Sequence, residues 1–256
     1  MFSQINFLNP WLVAVELNTV LLSIVFFAPK KLLTPAGIFH AWILGVIIWG
    51  TLGWQGYLIV GFYFLVGSGV TRIGIKEKES LGIAEKRSGA RGPENVWGSA
   101  LTAAICALLI LFVDRTIQQL LFLAYVASFA TKLSDTTASE VGKAYGKRTF
   151  LITTLKPVER GTEGAVSLEG TLAGIIASIA IAIVGWQANI ISSVGVIWCV
   201  IAAFVATNLE SVIGATLQSK FDWMTNEVVN FINTSSGAIV AILLALAWKW
   251  LVALGG

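Results

Sequence analysis

Ser128, Thr131, Asp135, Ser139 and Gly142 follow one another at spacings of three and four residues, which places all five on one face of a helix. A polar stripe of this kind on a membrane helix either packs by small residues and hydrogen bonds or lines a site. Asp135 favours the site, because burying a lone carboxylate is costly unless a cation meets it. Glu140, five residues on, points about 140° away on an ideal helix, so it joins Asp135 on one metal only if the helix breaks between them. Lys143 offers Glu140 a structural partner instead. Further along, Arg160 and Thr162 are donors suited to phosphate oxygens, set in a turn that Gly161 and Gly164 allow. Glu163 and Glu169 are hard oxygen ligands of the kind Mg²⁺ takes beside substrate phosphates. Ser167 and Glu169 read equally as the N-cap and first-turn acid of a following helix.

The run Gly142-Lys-Ala-Tyr-Gly146-Lys147-Arg148-Thr149 superficially resembles a phosphate loop. Three residues separate its glycines where a Walker A loop has four, and Arg148 interrupts the Lys-Ser/Thr pair. Close backbone approach at the glycines and the cations Lys143 and Lys147 remain as phosphate-binding features. Two outlying groups join the candidates. Arg91 and Asn95 flank Gly-Pro-Glu where an apolar run begins, with Glu94 and Asn95 also readable as capping residues. Asn208, Glu210 and Ser211 end another apolar run, and Glu210 is the outside candidate for completing the site.

The elements that position these residues are membrane helices. The chain has 256 residues, 56% of them apolar, with a mean hydropathy of +0.82, too apolar for a soluble domain. A helix needs about 20 largely apolar residues to cross the bilayer core. Segments of roughly that kind lie at 11–28, 37–53, 55–71, 96–113, 116–133, 169–187, 190–209 and 232–254. The expected fold is therefore all-α, a single polytopic transmembrane bundle of about eight spans over residues 1–256; it becomes seven if the second and third spans fuse. No Lys or Arg precedes the first apolar run, so that run reads as a retained helix rather than a cleaved signal.

Lys and Arg favour cytoplasmic loops, and eight spans place Lys30, Lys31, Arg72, Lys76, Lys78, Lys86, Arg87, Arg91, Lys143, Lys147, Arg148, Lys156, Arg160 and Lys220 on one side, leaving Arg115 and Lys249 for the other. The site is thus expected on the cytoplasmic or stromal face. Residues 72–91 read as a solvated surface segment and 220–233 as an amphipathic stretch at the interface. Cys106 and Cys199, each alone in a span, are packing residues, and His40 reads as an interhelical contact.

The run SDTTASEVGKAYGKRTFLITTLKPVERGTEGAVSLEGTLAG, with ENVWGS before it and LESVIGATLQ after it, resembles the phytyl-phosphate kinase family of integral membrane proteins, more distantly related to CTP-dependent phytol and dolichol kinases. The resemblance implies phosphoryl transfer from a nucleoside triphosphate, CTP or another, to phytyl phosphate, with Mg²⁺ as cofactor, for tocopherol synthesis in a cyanobacterial or plastid-type membrane. On this reading the residues singled out by their chemistry take these roles: Asp135, Lys156, Arg160 and Glu163 catalytic, Asp135, Glu163 and Glu169 on the metal, and Ser134, Ser139, Glu140, Lys143, Lys147, Thr162, Ser167, Arg91, Asn95, Asn208 and Glu210 on the substrates. No nucleic acid enters this reading, and a homodimer is left open.

A monophosphate acceptor needs cations more than a base, and the central segment offers Lys and Arg but no His. Its phosphate is accordingly expected against Lys156 and Arg160. Asp occurs only at Asp114, Asp135 and Asp222, too few for the aspartate-rich motifs of prenyltransferases or CDP-alcohol phosphotransferases. A transporter is the rival class, since Gly170-x-x-x-Gly174 and intramembrane polar groups suit moving helices, and an isoprenoid alcohol kinase is a second alternative.

Overall fold

A computed structural model describes residues 9–28, 31–84, 89–218 and 220–255; Lys30, Lys86 and Arg87 of the topology argument lie outside them. Helix starts follow local chemistry. In α1 (Pro10–Phe27) the Asn9 side chain accepts from Trp11 N–H, and in α2 (Pro35–Val70) Thr34 accepts from Gly37 N–H; each has Pro at the first helical position, where its missing N–H and fixed φ are harmless. Asp114 caps α5 (Arg115–Tyr145), Ser167 caps α6 (Leu168–Gln187) and Ser192 caps α7 (Ser193–Ile213). Between α2 and α5 come the short α3 (Ile75–Ser80) and α4 (Pro93–Leu109). A π-helical turn, Gly214–Gln218, ends α7, and α8 (Asn226–Gly255) closes the chain.

α2 is two antiparallel arms. Gly53, at φ 63° and ψ −158°, adopts a conformation open to glycine and breaks the helix there. The rings of Trp49 and Tyr57 then meet with centroids 5.3 Å apart, where a straight helix would separate their Cα atoms by about 12 Å. Gly37 and Gly67 both pack against Arg91, although about 45 Å of straight helix would lie between them. Buried Tyr125 of α5 donates to Gly56 O at 2.7 Å and anchors the second arm beside the turn.

Six helices among the described residues are long and apolar enough to cross a membrane, with α2 counted once. Separating its arms and adding α5, the described residues hold eight long helical segments, matching the sequence expectation. α5 is the central helix, packed against α2, α4, α6, α7 and α8. Its 31 residues reach about 46 Å, beyond a hydrocarbon core of about 30 Å. Ile24, Leu65, Phe112, Ile176 and Trp250 are among many large apolar side chains exposed on the outer surface, as lipid contact requires.

Helix contacts use small residues, since lipid offers no hydrophobic drive between helices. A Cβ on Gly170 would lie 2.5 Å from Ala138 O, and one on Gly174 would lie 2.9 Å from Ser134 O, so α6 packs backbone against backbone on α5. Thr102 of α4 hydrogen-bonds Thr234 and Ser235 of α8 at 2.8 and 2.9 Å. A small antiparallel hairpin, β1 (Thr149–Leu151) with β2 (Ala165–Ser167), pairs Thr149 with Ser167 and Leu151 with Ala165. The loops before α4, after α5 and after α7 converge at one end of the bundle, through Arg160–Glu77 and the packing of Gly164 on Ser211 and Ala215.

Two surface expectations are overturned. Lys78, in the stretch read as solvated, is fully buried, because α3 tucks against α5 and its ammonium meets a buried carboxylate. The first two turns of α8, read as an interfacial segment, send Asn230 to Lys132 and bury Asn233. His40 is the expected interhelical contact, accepting from Trp97 Nε1 at 2.9 Å. Both cysteines are buried and unpaired.

Candidate functional site

Asp135 is buried five residues before Glu140 on α5. Lys132, one turn earlier, donates to Asp135 Oδ2 and to Asn230 Oδ1 of α8, each at 2.6 Å. Glu210 of α7 and Glu163 of the hairpin loop line the same two cavities as Asp135. Three carboxyl groups from three separate elements therefore gather beside one ammonium. Two cavities of about 150 and 390 Å³ meet here, and Asp135, Ser139, Lys143, Glu163 and Glu210 line both. The first is lined by residues 161–167 of the hairpin and by Ser134, Thr207 and Asn208. The second runs toward Arg91, Asn95, Lys132 and Asn230.

The structure brings together many of the sequence candidates. Ser134, Asp135, Ser139, Lys143, Thr162, Glu163, Ser167, Asn208 and Glu210 line the first cavity, and Glu140, Arg91 and Asn95 line the second. Several serve structure as well. Ser167 accepts from Gly170 N–H as the α6 cap, Asn95 accepts from Gly92 N–H, Thr162 donates to Glu159 O, and Asn208 donates to Phe204 O.

Four expectations change. Arg160 lines neither cavity: its guanidinium donates to Ala144 O at 3.0 Å and pairs with Glu77 at 3.1 Å. It thus satisfies the open carbonyls at the C-terminus of α5, a favoured place for a cation. Lys156 and Lys147 are exposed and line neither cavity. Glu169 sits in the first turn of α6, outside both. Gly142 lies in the last turn of α5 and Gly146 N–H bonds back to its carbonyl; their close approach is to Ser167 and Gly170 of α6, so the glycines make a helix crossing rather than a phosphate cradle.

Glu140 is buried on the other face, as its helical angle requires. It pairs with Lys78, which also donates to Thr71 O at 2.7 Å, and with Lys143 at 3.6 Å.

Among the described residues no three His, Cys, Asp or Glu side chains converge tightly enough to hold a metal by themselves. Mg²⁺ does not need such a cage, since it keeps several waters and is bound by one or two carboxylates plus substrate phosphates. Asp135 and Glu210, two hard oxygen donors drawn together, fit that requirement, with Glu163 beside them.

Lys132, Asn230, Lys78 and Thr207 escaped the sequence reading. Lys132 carried a signal, standing three residues from Asp135 and hence on its face. Thr207 Oγ1 is buried with no hydrogen-bond partner among the described residues, and lines the first cavity. It stands three residues before Glu210 on α7, a spacing that places it on the same face. Nothing local to Asn230 or Lys78 announced that either would face inward.

Fold and site together define a polytopic helical membrane protein with a polar pocket, rich in carboxylates and cations, at one end of its bundle. The chain belongs to the integral membrane protein family DUF92, whose profile matches residues 18–238. It is 70% identical over 233 residues to an uncharacterized membrane protein of Synechocystis sp., covering 91% of this chain and 90% of that one. It is 48% identical over 216 residues to the chloroplastic protein VTE6 of Arabidopsis thaliana, covering 83% of this chain and 65% of VTE6, just under two thirds of that relative's length. An uncharacterized membrane protein of Methanocaldococcus jannaschii is 30% identical over 216 residues, with 84% and 87% covered. No solved structure matches the chain.

Proposed function

We propose that this protein transfers the terminal phosphoryl group of a nucleoside triphosphate, CTP by family resemblance, to an isoprenoid monophosphate, converting phytyl phosphate to phytyl diphosphate. The observation that carries the reading is the meeting of Asp135, Glu210 and Glu163 with Lys132, Lys143 and Arg91 around two adjoining cavities. Phosphoryl transfer asks for positioning and charge neutralisation more than for covalent chemistry, and these groups supply both. The motif resemblance supports the choice of acceptor, and the 48% identity to the chloroplastic protein VTE6 and 70% identity to a membrane protein of Synechocystis sp. support a plastid or cyanobacterial setting. The basic loops at the site end support a cytoplasmic or stromal orientation.

A phosphate monoester is ionised near neutral pH, so its oxygen attacks the terminal phosphorus without a general base. The bond to the bridging oxygen breaks and the nucleoside diphosphate leaves. The only histidine, His40, is engaged by Trp97 and plays no part. Mg²⁺ held on the nucleotide phosphates by Asp135 and Glu210 would supply charge neutralisation. Lys132 fixes the Asp135 carboxylate, Lys143 offers an ammonium to donor phosphates, and residues 161–167 wall the first cavity.

The test is purified protein incubated with labelled CTP, Mg²⁺ and either phytyl phosphate or phytol, with the product identified. Phytyl diphosphate formed from the monophosphate is the expected result. Phosphorylation of phytol at an equal rate would assign an alcohol kinase, and no transfer to either would remove the kinase reading.

A further inference from the structure

The second polar cavity adjoins an apolar one. A slot of about 130 Å³ runs between α1, both arms of α2 and α4, walled by Leu22, Leu44, Val60, Phe64, Val96 and Ala100. Its one buried amide is internally satisfied: Asn18 accepts from Tyr57 OH at 2.9 Å and donates to Ala14 O at 2.8 Å. The slot and the polar cavity share Tyr63, Arg91, Asn95 and Ser99. Leu22 also lines a third, apolar groove of about 410 Å³, bordered by Phe26, Phe39 and Trp42 on the outer face of α1 and α2. The groove and the slot therefore meet at Leu22, and the slot meets the polar cavity at Arg91, where the lining changes from apolar to polar.

Arg91 is built into that junction. Its backbone ties the two loops at this end together, Arg91 N–H donating to Leu32 O and Thr34 N–H donating to Arg91 O, both at 3.0 Å. Its guanidinium lies over the rings of Tyr63 and Phe64 at 5.0 and 5.7 Å and donates to Tyr63 OH at 2.9 Å. A guanidinium has five N–H donors, and the hydrogen bonds it makes among the described residues go to Tyr63 alone. Stacking on two aromatic rings fixes its plane, and that geometry suits bidentate capture of a phosphate.

We propose that the slot between α1, α2 and α4 holds the first isoprene units of the acceptor, with Arg91 binding its phosphate and the outer groove taking the rest of the chain. This rests on the isoprenoid phosphate kinase reading above and replaces Lys156 and Arg160 as the acceptor's phosphate contacts. The slot and groove together fall within the range of small-molecule sites, about 300–1,000 Å³. Their lining is mainly apolar, as a prenyl chain needs, with its polar groups gathered largely at the Arg91 end, and Arg91 is the one cation, at the end that adjoins the cavity of Asp135. Donor and acceptor phosphates thus approach the shared cavity from different sides, with a fixed cation on each.

The test uses the full-length protein in phosphatidylcholine nanodiscs and a prenyl monophosphate bearing a diazirine in its first isoprene units. Irradiation is expected to label the slot at residues such as Leu44, Val60, Val96 and Ala100, with labelling competed by phytyl phosphate and not by phosphatidic acid. Gly61 borders the slot, and a Cβ there would meet nothing within 4 Å; Gly61→Phe, or the milder Gly61→Leu, fills the space. Either variant and Arg91→Gln should cut labelling and raise KM for phytyl phosphate about tenfold while leaving KM for CTP unchanged. Labelling read without turnover separates the two claims. Specific labelling of the slot in a protein that forms no diphosphate would defeat the kinase reading and keep the slot. Turnover with labelling elsewhere, or competition by phosphatidic acid, would overturn the slot.

Discussion

Lys132 Nζ lies 2.6 Å from Asp135 Oδ2, one helical turn apart on the central helix, with both side chains more than nine-tenths buried. The pair holds the carboxylate against the shared wall of two cavities that Glu210 of α7 also lines. A buried charge is tolerated when it is paired and hydrogen-bonded, and Asn230 completes that arrangement for Lys132.

Asp135→Asn is expected to lower kcat at limiting Mg²⁺ by at least about a hundredfold, since losing charge neutralisation worth about 3 kcal/mol has that effect. Glu210→Gln should raise the Mg²⁺ concentration for half-maximal activity, and by more than Glu169→Gln does. Steady-state rates across a Mg²⁺ titration give both answers, and near-wild-type turnover by Asp135→Asn would count decisively against the metal role.

Lys78→Met should destabilise the fold by about 3–5 kcal/mol, because it strands Glu140 in a buried position where the remaining cation, Lys143, is 3.6 Å away. Adding Glu140→Leu removes the stranded charge and should recover most of the loss. Thermal unfolding in detergent measures this, and a Lys78→Met protein that melts like wild type would show that the pair is dispensable.

Gly170→Ala places a methyl 2.5 Å from Ala138 O, so α6 must back away from α5 at a cost of about 1–3 kcal/mol. The movement carries Ser167 and the hairpin residues that line the first cavity. A lowered melting temperature accompanied by lost activity is expected; unchanged values of both would mean the crossing is looser than it looks.

Single cysteines introduced as Lys147→Cys and Gln55→Cys should react with a membrane-impermeant maleimide from opposite sides of sealed vesicles. Both native cysteines are buried, so background labelling is low. Labelling of the two positions from one side would refute the eight-segment topology.

Much of this molecule is legible in one dimension. Span positions follow from apolar length, because a bilayer accepts only segments that satisfy their own backbone. Gly53, flanked by two short apolar runs, marked the place where α2 turns back. The face of α5 carrying Asp135, Ser139 and Gly142 was set by helical spacing, and so was the separation of Glu140 from Asp135. The caps Ser167 and Asn95 were readable from residue type and position.

Tertiary structure decided which distant residues meet that face. Glu210, 75 positions beyond Asp135, reaches it because small residues bring α5, α6 and α7 together, whereas Glu169, much nearer in sequence, remains outside both cavities. Arg160 had the right chemistry for phosphate, yet its guanidinium went to the open carbonyls ending α5. Lys78 looked solvated until α3 folded beneath Glu140. Local spacing determines only the direction in which a side chain leaves its own helix; the group it finds there depends on how neighbouring helices pack, and that is settled by surface complementarity summed over the whole bundle.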